Sequence, residues 1–163
     1  MREKTCCFSG HRLVPEWERV QVQTKLLITV RRLILSGYCY FGAGGALGFD
    51  TMAAQTVLLL QREFPQAKLI LVLPCKSQAD RWQEEDKRIY EDIKQRANKV
   101  VYISEEYTED CMFKRNRHLV NYSSGCVCYL KRKTGGTAYT VGYAREKGLW
   151  IENMAQDNPE YKR

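Results

Sequence analysis

The 163-residue chain has the length of one domain, and its hydrophobic fraction of 44% and charged fraction of 28% exclude intrinsic disorder and a fibrous class. A formal net charge of +7 points to anionic partners, either phosphate-bearing ligands or nucleic acid, although a solvated basic surface explains any one of these residues equally well. No run approaches the ~20 apolar residues needed to cross a bilayer, and MREKTCCFSG lacks an apolar stretch of signal-peptide length, so a cytoplasmic protein without a membrane partner is expected.

The elements alternate from end to end. A strand at Lys4 to Ser9 leads through SGHR into a helix from about Pro15 to Leu35, whose apolar positions Val20, Leu27, Val30 and Ile34 keep helical spacing and which Gly37 stops. The second strand, Tyr38 to Phe41, runs into the loop GAGGALGFD and a helix from about Asp50 to Glu63. A third strand, Lys68 to Pro74, is apolar on both faces, as central parallel strands are. After it come a long polar helix from about Gln78 to Ala97, a strand at Lys99 to Ile103 and a helix from Thr108 to Tyr122. GCVCYLK forms the fifth strand, GGTAYTVGYAREKG a helix opened by two glycines, and LWIENM the sixth strand.

This alternation predicts a single Rossmann-like three-layer α/β/α domain over residues 1–155, with a mostly parallel sheet of about six strands, and a frayed polar tail over 156–163. The seven cysteines are odd in number and sit partly in apolar runs such as TCCF and GCVCYL, so reduced, buried thiols are expected. There is no CxxC pair, and His11 and His118 lie far apart, so neither a structural zinc nor any other metal or cofactor is expected.

In open parallel sheets ligands bind beyond the carboxyl ends of the strands, where helix N-termini point free amides outward. Three strand-to-helix loops therefore carry the candidate site. SGHR contributes Gly10, His11 and Arg12; GAGGALGFD contributes Gly44, Gly45, Gly48 and Asp50; KTGGT contributes Gly135, Gly136 and Thr137. Glycine lets backbone N–H groups approach a phosphate, and a tight turn with close helix packing is the other explanation of the same residues. Asp50 is suited either to capping the following helix or to contacting ribose hydroxyls. Arg115 and Asn116 lie on the helix before the fifth strand, where an inward guanidinium would clamp phosphate and an outward one would be solvated. Trp82 suits packing on the sheet or stacking on a base. GAGGALG does not match GxGxxG, because its third glycine comes one residue late, which disfavours NAD binding of the usual kind.

With SGHR, GGALGFDTMAA, VLPCKSQADRW, CMFKRNRHLVNYSS and GGTAYTVGYAREKG in view, the chain resembles the YpsA-like family of the SLOG superfamily, which includes DNA-processing protein A and the Lonely Guy phosphoribohydrolases. GGALGFD is similar to the SGxARGID segment of DNA-processing protein A, which implies a nucleotide-type pocket. In the phosphoribohydrolases an arginine before the fifth strand and a glutamate beyond the PGGxGT loop carry hydrolysis. Arg115 falls at the arginine's place, whereas KTGGTAYTVGYA has Thr140 or a neighbour where the acid is expected, so hydrolysis by that route is not expected.

The expected function is binding or sensing of a nucleotide or nucleotide-derived phosphorylated small molecule. The alternatives are a nucleotide-processing hydrolase and a single-stranded nucleic-acid binder using Lys131, Arg132, Lys133 and aromatics such as Tyr107, Tyr122 and Tyr139. The resemblance also makes a homodimer a possible assembly.

Overall fold

The computed structural model describes residues 1–155, and the tail expected at 156–163 lies outside them. A 3-10 turn at Arg2–Lys4 precedes β1 (Thr5–Gly10), α1 (Glu16–Leu35), β2 (Tyr40–Ala43), α2 (Phe49–Leu60), β3 (Lys68–Leu73) and α3 (Glu84–Arg96). β4 (Lys99–Tyr102), α4 (Cys111–Asn121), β5 (Gly125–Tyr129), α5 (Gly136–Glu146) and β6 (Trp150–Asn153) complete it. The strands form one sheet in the order β4-β3-β2-β1-β5-β6, parallel throughout.

The alternation of side chains along the central strands builds two cores. Cys6 and Phe8 of β1 and Val127 and Tyr129 of β5 face α1, α2 and α3, while Cys7, Cys126 and Cys128 face α4 and α5. All five residues of β5 are buried, as expected of a strand covered on both faces. The cysteines are free, and every one but Cys39 is buried. α1 ends where Gly37 N–H donates to the Ile34 carbonyl and Tyr38 N–H to the Leu33 carbonyl, the paired bonds that close a helix before a chain reversal.

Several details differ from the sequence reading. Val20 points to solvent, and the buried row of α1 is Val22, Leu26, Val30, Leu33 and Ile34. Both rows have helical spacing, so periodicity did not distinguish them. β2 begins at Tyr40 rather than Tyr38. α3 begins at Glu84 rather than Gln78, because turns at Asp80 and Trp82 take up the preceding segment and Gln83 is extended. α4 begins at Cys111 rather than Thr108. Trp82 packs edge-on against Tyr90 at 5.1 Å.

Successive strands run outward from β1 to β4, and the α4 crossover then carries the chain back to the other side of β1. The strand order therefore reverses between β1 and β5, which is where diverging loops open a crevice in folds of this kind. The aromatic rings of Phe8, Phe41, Phe49 and Tyr129 form a cluster at the end of β1 and its neighbours, stacked between Phe8 and Phe41 and between Phe49 and Tyr129 and edge-on between Phe8 and Phe49, with neighbouring centroids 5.9 to 6.4 Å apart.

Candidate functional site

A cavity of about 340 Å³ opens at this reversal, in the range of small-ligand sites. The end of β1 and its loop contribute Ser9, Gly10, His11, Arg12 and Leu13 to its wall. α4 contributes Met112, Arg115 and Asn116, and the β5–α5 connection contributes Arg132, Thr134, Gly135, Gly136 and Thr137. From the loop after β2 only Ala46 and Asp50 reach it. Nine of the sequence-derived candidates thus meet around one space, while Gly44, Gly45 and Gly48 stand behind it.

Those three glycines are tied to packing. A β-carbon at Gly44 would come within 2.7 Å of Arg115 Nη1 and 2.9 Å of Asp50 Oδ2, and one at Gly45 within 2.5 Å of the Leu73 side chain. At Gly48, where φ is +78°, it would overlap the Arg12 carbonyl. This close approach lets Phe49 N–H donate to the His11 carbonyl at 3.2 Å, so the α2 N-terminus is closed by the loop from β1. Gly48 is the cap residue of α2. Asp50 therefore sits inside the first turn, and its carboxylate accepts from Ala46 N–H at 3.3 Å rather than capping the helix.

The N-terminus of α5 is different. Gly135 caps it with φ +100° and no side-chain hydrogen bond, and a β-carbon at Gly135 or Gly136 would meet nothing within 4 Å. The first residues of α5 thus line the cavity at the positive end of a helix dipole.

Arg115 is only 6% exposed. Its Nη1 donates to the Gly44 carbonyl and, at 3.4 Å, to Gln78 Oε1, and its Nε donates to Asn116 Oδ1 at 2.7 Å. Much of its donor fork thus holds the neighbouring loop in place. Asp50 shares its environment. Burial raises the Asp50 carboxyl to about 6 against the opposing pull of Arg115, and burial likewise lowers Arg115 against the pull of Asp50. Asp50 is the one carboxylate lining the cavity among the described residues. Thr140, near the place where the phosphoribohydrolase resemblance calls for an acid, turns its hydroxyl back to the Gly136 carbonyl at 2.9 Å.

His11 is buried, and its Nε2 accepts Lys131 N–H at 2.9 Å, which assigns the proton of the neutral ring to Nδ1. Burial lowers its pKa, and Arg132 and Lys131 lower it further. Arg132 Nη2 lies 3.4 Å from Nδ1.

Sequence reasoning missed Glu18. It is fully buried, accepts from the Tyr129 hydroxyl and pairs with Lys131 Nζ. Burial alone would raise this carboxyl, but the Lys131 and Tyr129 bonds outweigh it and hold it below its ordinary value. The pair tethers the start of the β5–α5 connection to α1. Its sequence signal is a carboxylate in the same i, i+4 row as the core residues Val22 and Leu26. Thr134 was absent from the candidate residues as well, and Arg132 stood among them only for the nucleic-acid alternative, although both lie in the same KRKTGGT segment.

The geometry can be set beside known proteins. A family model described as the YspA SLOG family, YpsA, matches residues 17–152, most of the chain. The chain belongs to the YpsA SLOG family. Relatives of this YpsA-family chain include the SPbeta prophage-derived protein YoqJ of Bacillus subtilis (strain 168), 27% identical over 143 residues, which span 80% of this chain and 84% of YoqJ. A UPF0398 protein of Bacillus cereus (strain B4264) is 33% identical over 112 residues, or 67% of this chain and 60% of that protein.

Among solved structures, DNA processing protein A from Streptococcus pneumoniae is similar with a TM-score of 0.66 at 18% identity, covering 91% of this chain and 49% of that one. DNA processing protein A from Helicobacter pylori, whose structure is described for its single-stranded DNA binding mode, gives 0.62 at 16%, covering 90% and 64%. At these identities the likeness shows the fold. The YpsA-family chain spans about half to two thirds of the DNA-processing chains and 60% of the UPF0398 relative. Among the described residues, no helix is long and apolar enough to cross a membrane.

Proposed function

We propose that the YpsA-family cavity binds a nucleotide or nucleotide-derived phosphorylated small molecule, with a phosphate seated on the N-terminus of α5. The observation that carries this reading is the open space at Gly135 and Gly136, which line the cavity at the start of α5 and where an added β-carbon would meet no neighbouring group within 4 Å. Arg12 and Arg132 add positive charge to the same wall, while Asp50 offsets Arg115 at the floor. The membership of the chain in a SLOG family supports a nucleotide-related ligand.

Asp50 favours a second reading, cleavage of that ligand. A cavity-lining carboxyl whose pKa is raised to about 6 is suited to exchanging a proton near neutral pH. Turnover lost on Asp50→Asn with binding retained would select this reading over binding alone.

The test of binding is thermal stabilisation of the full chain by AMP, GMP, ADP-ribose and a short single-stranded oligonucleotide. A ligand at about 100 times its Kd stabilises by about 2.7 kcal/mol, which is a rise of roughly 5–10 °C in Tm for a domain of this size. Gly136→Asp should remove that rise. An acidic residue is well tolerated in the first turn of a helix but repels an incoming phosphate. If neither the mononucleotides nor ADP-ribose stabilise at millimolar concentration, the proposal fails. Stabilisation by the oligonucleotide alone, steeply salt-dependent and indifferent to Gly136→Asp, would replace it with nucleic-acid binding.

A further inference from the structure

His11 brings to the cavity a hydrogen-bond donor that the chain leaves unmatched. The ring is 7% exposed and forms part of the cavity wall. Its Nε2 accepts the Lys131 N–H at 2.9 Å, so the single proton of the neutral imidazole stands on Nδ1. Nδ1 faces Arg132, whose Nη2 lies 3.4 Å away. A guanidinium has donors only, so the two groups meet donor to donor, and among the described residues Nδ1 has no other partner. The opposite tautomer would let Nδ1 accept from Arg132 but would set Nε2–H against the Lys131 N–H. That exchange is unfavourable, because a backbone amide cannot turn away whereas the exposed Arg132 side chain can. Protonating both nitrogens would meet the same clash at Lys131, and burial and the neighbouring cations oppose it.

We propose that His11 Nδ1–H and Arg132 form a second anion subsite beside the N-terminus of α5, and that the ligand presents two linked phosphates, one to each position. This rests on the phosphate seat at α5 argued above and names the ligand more closely, as a nucleoside diphosphate rather than a monophosphate. A phosphate oxygen between the two donors accepts from both, which removes the cost of a buried donor without a partner and makes a charge-assisted pair of bonds.

Spacing and charge both favour two linked phosphates. Arg132 and Gly135 line the same cavity and are three residues apart, at most ~11 Å of extended chain. Anionic groups held at both places must therefore be near neighbours in the ligand. Arg115 is opposed by Asp50 and bonded to the Gly44 carbonyl, whereas Arg12 and Arg132 form no ion pair among the described residues. Two free guanidiniums with the roughly +0.5 charge of a helix N-terminus exceed the about −1.5 to −2 of one phosphomonoester. A diphosphate brings the further negative charge that balances them.

Calorimetric titration of the full chain with AMP and with ADP at one ionic strength tests this. ADP should bind at least ~10-fold more tightly than AMP, the effect of added charge-assisted hydrogen bonds. Arg132→Gln, at an exposed position, should bring ADP to within about threefold of AMP while changing AMP itself by no more than about twofold. Lys133→Gln removes the same charge from the same connection at a residue outside the cavity wall, and should keep the ratio of the two affinities. In nitrogen NMR of the imidazole, ADP should shift the protonated Nδ1 of His11 and AMP should not. ADP no tighter than AMP, with both lost on Gly136→Asp, overturns the second subsite and leaves the phosphate seat standing. Equal losses of AMP and ADP on Arg132→Gln put one phosphate on both positions and overturn it as well, as does a ratio that collapses equally in Lys133→Gln. Binding of neither nucleotide removes the seat on α5 and the second subsite with it.

Discussion

In the loop after β2, a β-carbon added at Gly44 or Gly45 would stand 2.5 to 2.7 Å from a buried side chain, whereas in the loop after β5 one added at Gly135 or Gly136 would meet nothing within 4 Å. Both loops join a parallel strand to a helix N-terminus, and both are rich in glycine. In the first, glycine lets the chain pack on itself, and the amide end of α2 is closed by the His11 carbonyl. In the second, the helix end is open to the cavity. The longer glycine run is therefore the structural one. Glycine content does not identify a phosphate loop; the space above the glycines does.

The largest test of this contrast is Gly48→Ala. Its φ of +78° is unfavourable for any residue with a β-carbon, and the added methyl would overlap the Arg12 carbonyl that sits against α2. The expected loss is about 3 kcal/mol, or on the order of 10 °C in Tm. A calorimetric melt within a degree or two of the wild type would show that the loop after β2 is freer than its packing indicates.

Glu18→Gln probes how the second loop is held, since Lys131 and His11 anchor it from outside while its own glycines stay unpacked. Lys131 is partly exposed and can turn to solvent when its partner is gone, so the expected loss is about 1–2 kcal/mol rather than the ~3–5 of a fully buried pair. The sign with pH follows from the lowered pKa. The contribution of Glu18 is complete above its unfolded value of 4.5 and is lost as pH falls through the lower folded value. Urea denaturation should therefore show the wild type losing stability below about pH 4.5 more steeply than Glu18→Gln. Equal slopes would mean that the carboxylate is not held by Lys131.

The fold was legible because local signals agree with it. Each short apolar run is a strand, each longer periodic segment holds a helix, and Gly37 closes α1 where a stop signal stands. The reversal that makes the cavity was not legible, because nothing local in α4 states on which side of β1 its crossover will land. At the site, the loops and Arg115 could be named from the residues and the family resemblance. That the Arg115 fork holds the Gly44 carbonyl could not, since the two lie 71 residues apart in sequence. The two apolar rows of α1 show the same limit. Periodicity reveals an apolar face but not what covers it, and the outward row containing Val20 reads as well as the inward one.

The smallest expected effect is the one that separates the loops most cleanly. Gly136 is the first residue of α5, has no positive φ and has open space where a side chain would go. Gly136→Ala should therefore leave stability within about 0.5 kcal/mol of the wild type, on the favourable side, because alanine orders the helix end at lower entropic cost than glycine. The added methyl would nonetheless occupy the surface against which a phosphate must lie, and should weaken ligand-induced stabilisation severalfold. A chain that melts higher while binding less would mark Gly136 as kept for the cavity rather than for the fold. One that melts several degrees lower, as Gly48→Ala should, would place both loops in the same structural class and remove the reason for seating the phosphate on α5.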